Sequence, residues 1–575
     1  MTGAHARPWL NEYATWTPKT LDIPNNTLVD LYENTVEKYP HRPAVWFFEK
    51  EMNYAELDRH VRAASAGLKA FGVKRGDTVA IALPNCPQHI IAIWAILRLG
   101  ATVVEHNPLY TAHELTPMFQ DHKARLAIVW DKQAEKLDEM RKNTPLETII
   151  AVNMTEYMPA RQRLLLKLPI PPITSKREEL TQEAPNAIPW RTLLSSAMGG
   201  YGQELESCDE ITTDDNALIL YTSGTTGPSK GAQLTHGNMY ANTLQCHSLL
   251  PDLGQSEEKM LGALPLFHVY GFTLISLLGC LVGGETLLLP APKIPLVMDV
   301  MKKSRPTFAP GVPTIYAKII EASKEQDVDI RGVRNGLSGA AALPAEVVEE
   351  WEELTGGQLA EGYGLTETSP VVTVNPLDGR RRPGYVGIPV PNTEVRIADP
   401  NDLDRELPYG EAGELLVKGP QVFKGYLNKP EETEQAFHDG WFCTGDQAVM
   451  EEDGFVKIVS RIKEIIITGG FNVYPGEVED ELAQHPDIEQ VAVVGRPKKD
   501  GSEDVVACTV LRDGAVIDPD QLRAFAKQRL TPYKVPRTFY HFEELAQDQL
   551  GKVRRREVQK LLLDMLEKDQ HKALA

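Results

Sequence analysis

Apolar residues recur along the first 150 positions in two alternating rhythms. Over Leu57–Phe71 they fall at helical spacing, while Thr78–Leu83 (TVAIAL) is a short unbroken run of the kind a buried strand presents. His89–Leu99 returns to helical spacing, and Ala101–Val104 and Ala127–Trp130 read as further strands. Strands that stay apolar throughout, separated by helices, predict α/β layers with parallel pairing. Asn153–Ile188 breaks the rhythm with prolines at 169, 171 and 172 and reads as a surface excursion. Ala217 opens another strand, ALILYT, which runs into a Gly/Ser/Thr-rich loop and then a helical segment. The pattern turns β-rich near Asp453–Thr468 (GFVKIVS, EIIIT), followed by the turn signal GGFNVYPGE. The last hundred residues carry their own α/β set: VEDELAQ, QVAVVG, VVACTVL and a helix around Pro519–Arg529. The fold class is therefore α/β, a large N-terminal region of several subdomains of layered sheets and helices (1–462) followed by a small C-terminal α+β domain (463–575). The boundary falls near 461–464. The longest apolar stretch, Gly271–Val282, is about half of the roughly 20 residues that span a bilayer, so it predicts a core helix.

Composition narrows the classes. With 575 residues, 42% hydrophobic and 24% charged, the chain is globular and long enough for several packed units. Its net charge of −20 argues against a broad basic face for nucleic acid. Cysteines 86, 208, 246, 280, 443 and 508 lack any metal-ligand spacing and read as reduced thiols. The opening MTGAHARPWLNEYATW has no apolar signal-peptide core, which points to the cytoplasm. Two local departures stand out. Residues 521–556 hold nine basic and three acidic side chains, a setting for polyanions. The segment 160–178 combines Arg161, Arg163 and Lys167 with Leu164–Leu166; it reads first as a solvated loop, with a weak peripheral contact with the inner membrane face as the second reading.

The most informative chemistry is Tyr221–Gly231, YTSGTTGPSKG. Gly224 and Gly227 let backbone N–H groups approach phosphate oxygens; Thr222, Ser223, Thr225, Thr226 and Ser229 add hydroxyls around Pro228, and Lys230 adds a point charge. The spacing is not that of a Walker A loop. Four more segments carry usable chemistry: PLFHVYG (265–271), GLSGAAAL (336–343), EGYGLTET (361–368) and DGWFCTGD (439–446). An aromatic face suits a purine, a carboxylate suits a hard cation or a ribose diol, and small residues permit close approach of a ligand.

Taken in order, these segments resemble the adenylate-forming superfamily of acyl-CoA synthetases, peptide-synthetase adenylation domains and luciferases, across roughly residues 30–560. The resemblance implies that the 222–230 loop and Lys230 hold the ATP phosphates, with Thr225 and Glu367 near Mg²⁺. It places Gly339, Ala340, Ala341, Glu361, Gly362, Tyr363 and Gly364 around the adenine, Thr366 at the α-phosphate and His268 beside the acyl carboxylate. Asp446 and Arg461 would take the ribose; Ser460 stands where many relatives carry Asp or Gly. Lys552 of GKVRRR would be the catalytic lysine, although LAQDQL replaces the more usual preceding run. Lys463 would be the hinge of a mobile small domain, and Gly469 and Gly470 would shape the CoA tunnel.

The activity implied by the resemblance is ATP-dependent conversion of a fatty acid to acyl-AMP and then acyl-CoA, with ATP, Mg²⁺, CoA and the acid as small-molecule partners. NPLYT (107–111) and ITGGFNVYPGEVE (467–479) are closest to bacterial medium- and long-chain fatty-acyl-CoA ligases. A 4-coumarate-type aryl-acid ligase is the alternative substrate reading, and an inactive nucleotide- or acyl-binding homologue is the alternative class. Oligomeric state has no signature in the sequence.

Overall fold

The computed structural model describes residues 7–196, 210–222, 229–461, 464, 466–468, 471–498, 503–515, 518–530, 532–548 and 551–573. They form two compact units. The larger comprises Arg7–Glu394 with Val417–Phe442, and the smaller Val395–Leu416 with Cys443–Ala575.

Among the described residues, the larger unit has two large sheets. One is eight-stranded, with Gly425–Tyr426, Lys230–Thr235, Asn216–Thr222, Thr102–Glu105, Thr78–Ala82, Leu126–Trp130, Thr148–Val152 and Ile188–Pro189 in spatial order. Its central strands are parallel, as their unbroken apolar runs require. Helix Pro87–Arg98 packs beside them with every residue buried, and helix Tyr54–Ala70 begins with a capping box in which Asn53 and Glu56 satisfy each other's backbone N–H.

The second sheet is nine-stranded. Four consecutive neighbours in it are parallel: Lys259–Gly262, Phe308–Gly311, Asn335–Ser338 and Gln358–Gly364. Segment 271–282 is helical and buried beside Met260, with a π-helical turn over Phe272–Leu277, as a core helix should be. Segment 153–188 differs from a plain loop. It folds into helices Ala160–Leu165 and Pro171–Leu180, the second started by two prolines whose missing N–H groups cost nothing in a first turn.

The smaller unit draws on one sheet that holds strands Glu394–Asp399, Asp402–Glu406, Gly413–Lys418, Trp441–Met450 and Val456–Arg461; the first two pair antiparallel, as do the last two. Past it, the FNV of the expected turn is instead a strand, Phe471–Val473, paired with Ile466–Thr468. A three-stranded sheet comes next, Ile488–Pro497, Glu503–Leu511 and Thr538–His541. Strand alternation explains its two covers. Val493, Val505 and Ala507 face helices Pro475–Leu482 and Pro519–Lys527, while Ala492, Val494, Val506 and Cys508 face Val558 and Leu562 of helix Arg555–Ala573.

The turn after Gln358–Gly364 positions the EGYGLTET motif. Leu365 N–H donates to Pro370 O (3.1 Å) as the chain folds back into Val371–Val374, and a Cβ added at Gly364 would lie 1.9 Å from that same oxygen. Gly364→Ala should therefore force the hairpin apart and lower stability by about 1–3 kcal/mol, read as a drop in the thermal midpoint; an unchanged midpoint would contradict the packing at this turn.

Candidate active site

Ligands of open α/β sheets bind beyond the carboxyl ends of the strands. In the nine-stranded sheet those ends collect three of the sequence motifs. The segment with His268 comes after Lys259–Gly262, Gly339–Ala341 after Asn335–Ser338, and Thr366 and Glu367 after Gln358–Gly364. Gly339 packs under Tyr270, which would stand 3.3 Å from an added Cβ; the Tyr270 hydroxyl donates to Leu337 O at 2.6 Å. Ala340 holds a left-handed φ of 70° and, like Ala341, is exposed. Thr273 Oγ1 donates to Ser369 O at 2.8 Å, tying the His268 segment to the Thr366–Thr368 turn. His268 itself is half-buried, its ring 5.0 Å from that of Phe267. Gly362 and Tyr363 pair across the hairpin with Val374 and Thr373.

The strands that flank the 223–228 loop belong to the other sheet. Thr222 and Lys230 face each other where Asn216–Thr222 pairs with Lys230–Thr235. Ser229 is half-buried; Ser223, Gly224, Thr225, Thr226, Gly227 and Pro228 lie outside the described residues. Tyr221, at the foot of this loop, donates from its hydroxyl to Asp121 Oδ2 (2.8 Å), and Asn428 Nδ2 donates to Asp121 Oδ1 (3.1 Å). Tyr426 links the two sheets' contributions. Its hydroxyl donates to Glu367 Oε1 at 2.8 Å, and its ring centroid lies 4.7 Å from Lys230 Nζ. Neither Tyr221 nor Tyr426 is a candidate on sequence grounds, since a lone tyrosine is unremarkable until packing brings it to a charge.

In the smaller unit Asp446 is buried and faces Arg461 across the antiparallel pair; of Arg461 only the backbone is described. Asp446 N–H donates to Thr444 Oγ1 (3.0 Å). Exposed Lys552 sits in a closed turn, its N–H donating to Asp548 Oδ1 (2.9 Å) and its carbonyl accepting from Asp548 N–H (2.8 Å). Three residues on, Arg555 donates to Glu479 Oε1 (2.7 Å) and Glu464 Oε2 (2.9 Å), which anchors the helix it begins. Lys463, Gly469 and Gly470 lie outside the described residues.

Glu361 has a displaced titration. Burial pushes its carboxyl up from 4.5 to about 7, partly offset by the Leu343 N–H it accepts at 3.3 Å. A raised carboxyl favours the folded state when protonated, so this contribution is complete below about pH 4.5 and fades as pH rises through about 7. Glu361→Gln, neutral throughout, should gain stability over the wild type by on the order of 3 kcal/mol as pH rises from about 5 to about 8. Thermal midpoints of the two proteins across that range check it; parallel profiles would contradict the burial cost.

Comparison with known proteins agrees with this arrangement. The AMP-binding enzyme family matches residues 32–427, and its C-terminal domain matches 477–552. The long-chain-fatty-acid–CoA ligase of Bacillus subtilis (strain 168) is 38% identical over 551 residues, covering 96% of this chain and 97% of that protein. The protein of the same name from Salmonella typhimurium is 38% identical over 554 residues, with coverage of 96% and 97%. Among solved structures, ATP-bound MatB from Rhodopseudomonas palustris superposes with a TM-score of 0.79 at 29% identity, covering 94% of this chain and 100% of that one. Motifs gathered at the strand ends and a family match spanning most of the length lead to one conclusion: this chain belongs to the AMP-binding enzyme family.

Proposed function

We propose that this protein is an AMP-forming fatty-acid–CoA ligase. The observation that carries the reading is the near-full-length similarity to two bacterial proteins named as long-chain-fatty-acid–CoA ligases. The gathering of His268, Gly339–Ala341 and Thr366–Glu367 at adjacent strand ends supports it.

A carboxylate is a poor acyl donor because its leaving group would be oxide. In the first half-reaction a fatty-acid carboxylate oxygen attacks the α-phosphorus of ATP. A new P–O bond forms, the bond to pyrophosphate breaks, and acyl-AMP results. In the second, the CoA thiolate attacks the acyl carbon; a C–S bond forms and AMP leaves with the electrons of the C–O bond. The protein supplies alignment and charge neutralisation. Lys230 and the 222–229 segment hold the β- and γ-phosphates, Tyr363 faces the adenine, and Thr366 contacts the α-phosphate. Asp446 and Arg461 take the ribose, His268 borders the acyl carboxylate, and Lys552 bridges that carboxylate and the α-phosphate. Residues 463–575 turn about Lys463 between the two steps, bringing Gly469 and Gly470 to the pantetheine.

Mg²⁺ fits the donor set. Glu367 is a buried carboxylate with one oxygen engaged by a phenol, and one carboxylate plus substrate phosphates is a common Mg²⁺ arrangement. Thr225 is the second candidate ligand. When bound, the ion would neutralise phosphate charge.

The membrane-facing element is 160–178. Leu164 (69% exposed), Leu165, Leu168 and Ile170 project to solvent, although Leu166 is buried. Residues 157–177 hold five basic and no acidic side chains in a chain of net charge −20. Apolar side chains among cations suit an anionic bilayer surface, where the fatty acid resides. Among the described residues, no helix is long and apolar enough to cross a membrane.

ATP–pyrophosphate exchange across short- to long-chain fatty acids and cinnamic acids tests the substrate class. Exchange with fatty acids is expected; exchange with cinnamic acids alone would mark an aryl-acid ligase, and none with any acid a binding homologue. Lys552→Ala should abolish adenylate formation yet largely spare thioester formation from preformed acyl-AMP, and equal loss of both steps would sink the domain alternation. For the membrane contact, co-flotation with phosphatidylglycerol-containing liposomes should fall when Leu164, Leu165, Leu168 and Ile170 are changed to Ser. Flotation that persists in this variant, or is absent in the wild type, would remove the proposal.

A further inference from the structure

Tyr426 contacts both of the charges that the proposed nucleotide site needs most. Its hydroxyl donates to Glu367 Oε1 (2.8 Å), and its ring face lies under the Lys230 ammonium, 4.7 Å from centroid to Nζ. The side chain is held from several directions. Gly425–Tyr426 pairs as an edge strand with Lys230–Thr235, Tyr426 opposite Ala232, and Leu427 N–H donates to Gly231 O (2.8 Å). Tyr426 N–H donates to Thr433 Oγ1 (2.9 Å), and its ring meets Phe423 edge to face at 4.9 Å. Phe423 N–H in turn donates to Glu367 O (2.8 Å), so the backbone and the carboxylate of Glu367 are both tied to this one aromatic cluster.

We infer that Tyr426 is a positioning residue that holds the Glu367 carboxylate and the Lys230 ammonium apart and aimed at the nucleotide. The inference rests on the roles proposed above for those two residues. An ammonium and a carboxylate left to themselves attract and neutralise each other, which would spend both charges before the phosphates arrive. A phenol between them offers each a partner that carries no net charge. The quadrupole of the ring takes the cation, and the hydroxyl takes one carboxylate oxygen. The second carboxylate oxygen is thereby oriented by a hydrogen bond rather than by an ion pair, and the Lys230 ammonium is held over the ring face. The two charged groups make no direct ion pair among the described residues, as this arrangement requires.

Tyr426→Phe and Tyr426→Leu separate the two functions, because phenylalanine keeps the ring and loses only the donor. ATP affinity is measured by calorimetry with EDTA and again with excess Mg²⁺. The Mg²⁺ concentration giving half-maximal ATP–pyrophosphate exchange is measured alongside. Tyr426→Phe should bind Mg²⁺-free ATP within about twofold of the wild type, because Lys230 keeps its ring. It should need roughly tenfold more Mg²⁺, the size of one charge-assisted hydrogen bond. Tyr426→Leu should show that shift and also lose Mg²⁺-free ATP affinity a few-fold. A wild-type Mg²⁺ requirement in Tyr426→Phe would overturn the inference. So would equal losses in both variants in every measurement, which is the signature of general packing. Lys230→Ala and Glu367→Gln are the controls for the site itself. If Lys230→Ala binds Mg²⁺-free ATP normally and Glu367→Gln keeps the wild-type Mg²⁺ requirement, the site reading fails and the positioning role falls with it.

Discussion

Parallel strand pairing is the constraint on which the nucleotide-side features of the larger unit depend. When neighbouring strands run the same way, the segments that leave their carboxyl ends emerge side by side, however far apart they lie in the chain. Lys259–Gly262, Phe308–Gly311, Asn335–Ser338 and Gln358–Gly364 are such neighbours. Their apolar residues are buried on both faces of the sheet, which ties pairing to helix packing. Small residues matter at that edge. Gly339 lies close under Tyr270, and Gly364 lies against the Pro370 carbonyl oxygen.

Charge placement is the second constraint. The chain carries a net −20, yet the substrates proposed for it are anionic. Cationic groups must therefore be local and protected from collapse onto nearby carboxylates. Two solutions occur. In the larger unit the Tyr426 ring lies under Lys230 while its hydroxyl donates to Glu367. In the smaller unit Arg555 is committed to Glu464 and Glu479, and this pairing anchors the helix that begins three residues after Lys552. The first arrangement keeps a cation available, while the second uses one as a structural tie.

Much of the fold was legible because burial leaves a period. The central strands and the helices around them appear in the hydrophobic pattern within a few residues of their observed bounds, for instance Thr78–Leu83 against Thr78–Ala82. The segment 153–188 was less so. Its helices are short and largely exposed, so no apolar stripe announces them, and the prolines that suggest a loop serve as helix starts. Phe471–Val473 was hidden in the same way, because Gly and Asn mark turns and the pairing with Ile466–Thr468 is a tertiary fact.

Residue types and their spacing along the chain were enough to identify the family, the order of the motifs and the kinds of chemistry they carry. Glycine-rich loops, carboxylates and lysines declare themselves in that way. Which of them meet was left to packing. That Asp446 faces Arg461, that Thr273 ties the His268 segment to the Thr366 turn, and that Tyr426 touches both Lys230 and Glu367 are consequences of strand pairing and of helix packing against the sheet. Tyr426 shows the reason most plainly. It is 196 residues from Lys230 and 59 from Glu367, and no local pattern encodes a contact made by an edge strand with a distant partner. Composition tells what a residue is able to do, and the packing of sheets tells what it is next to.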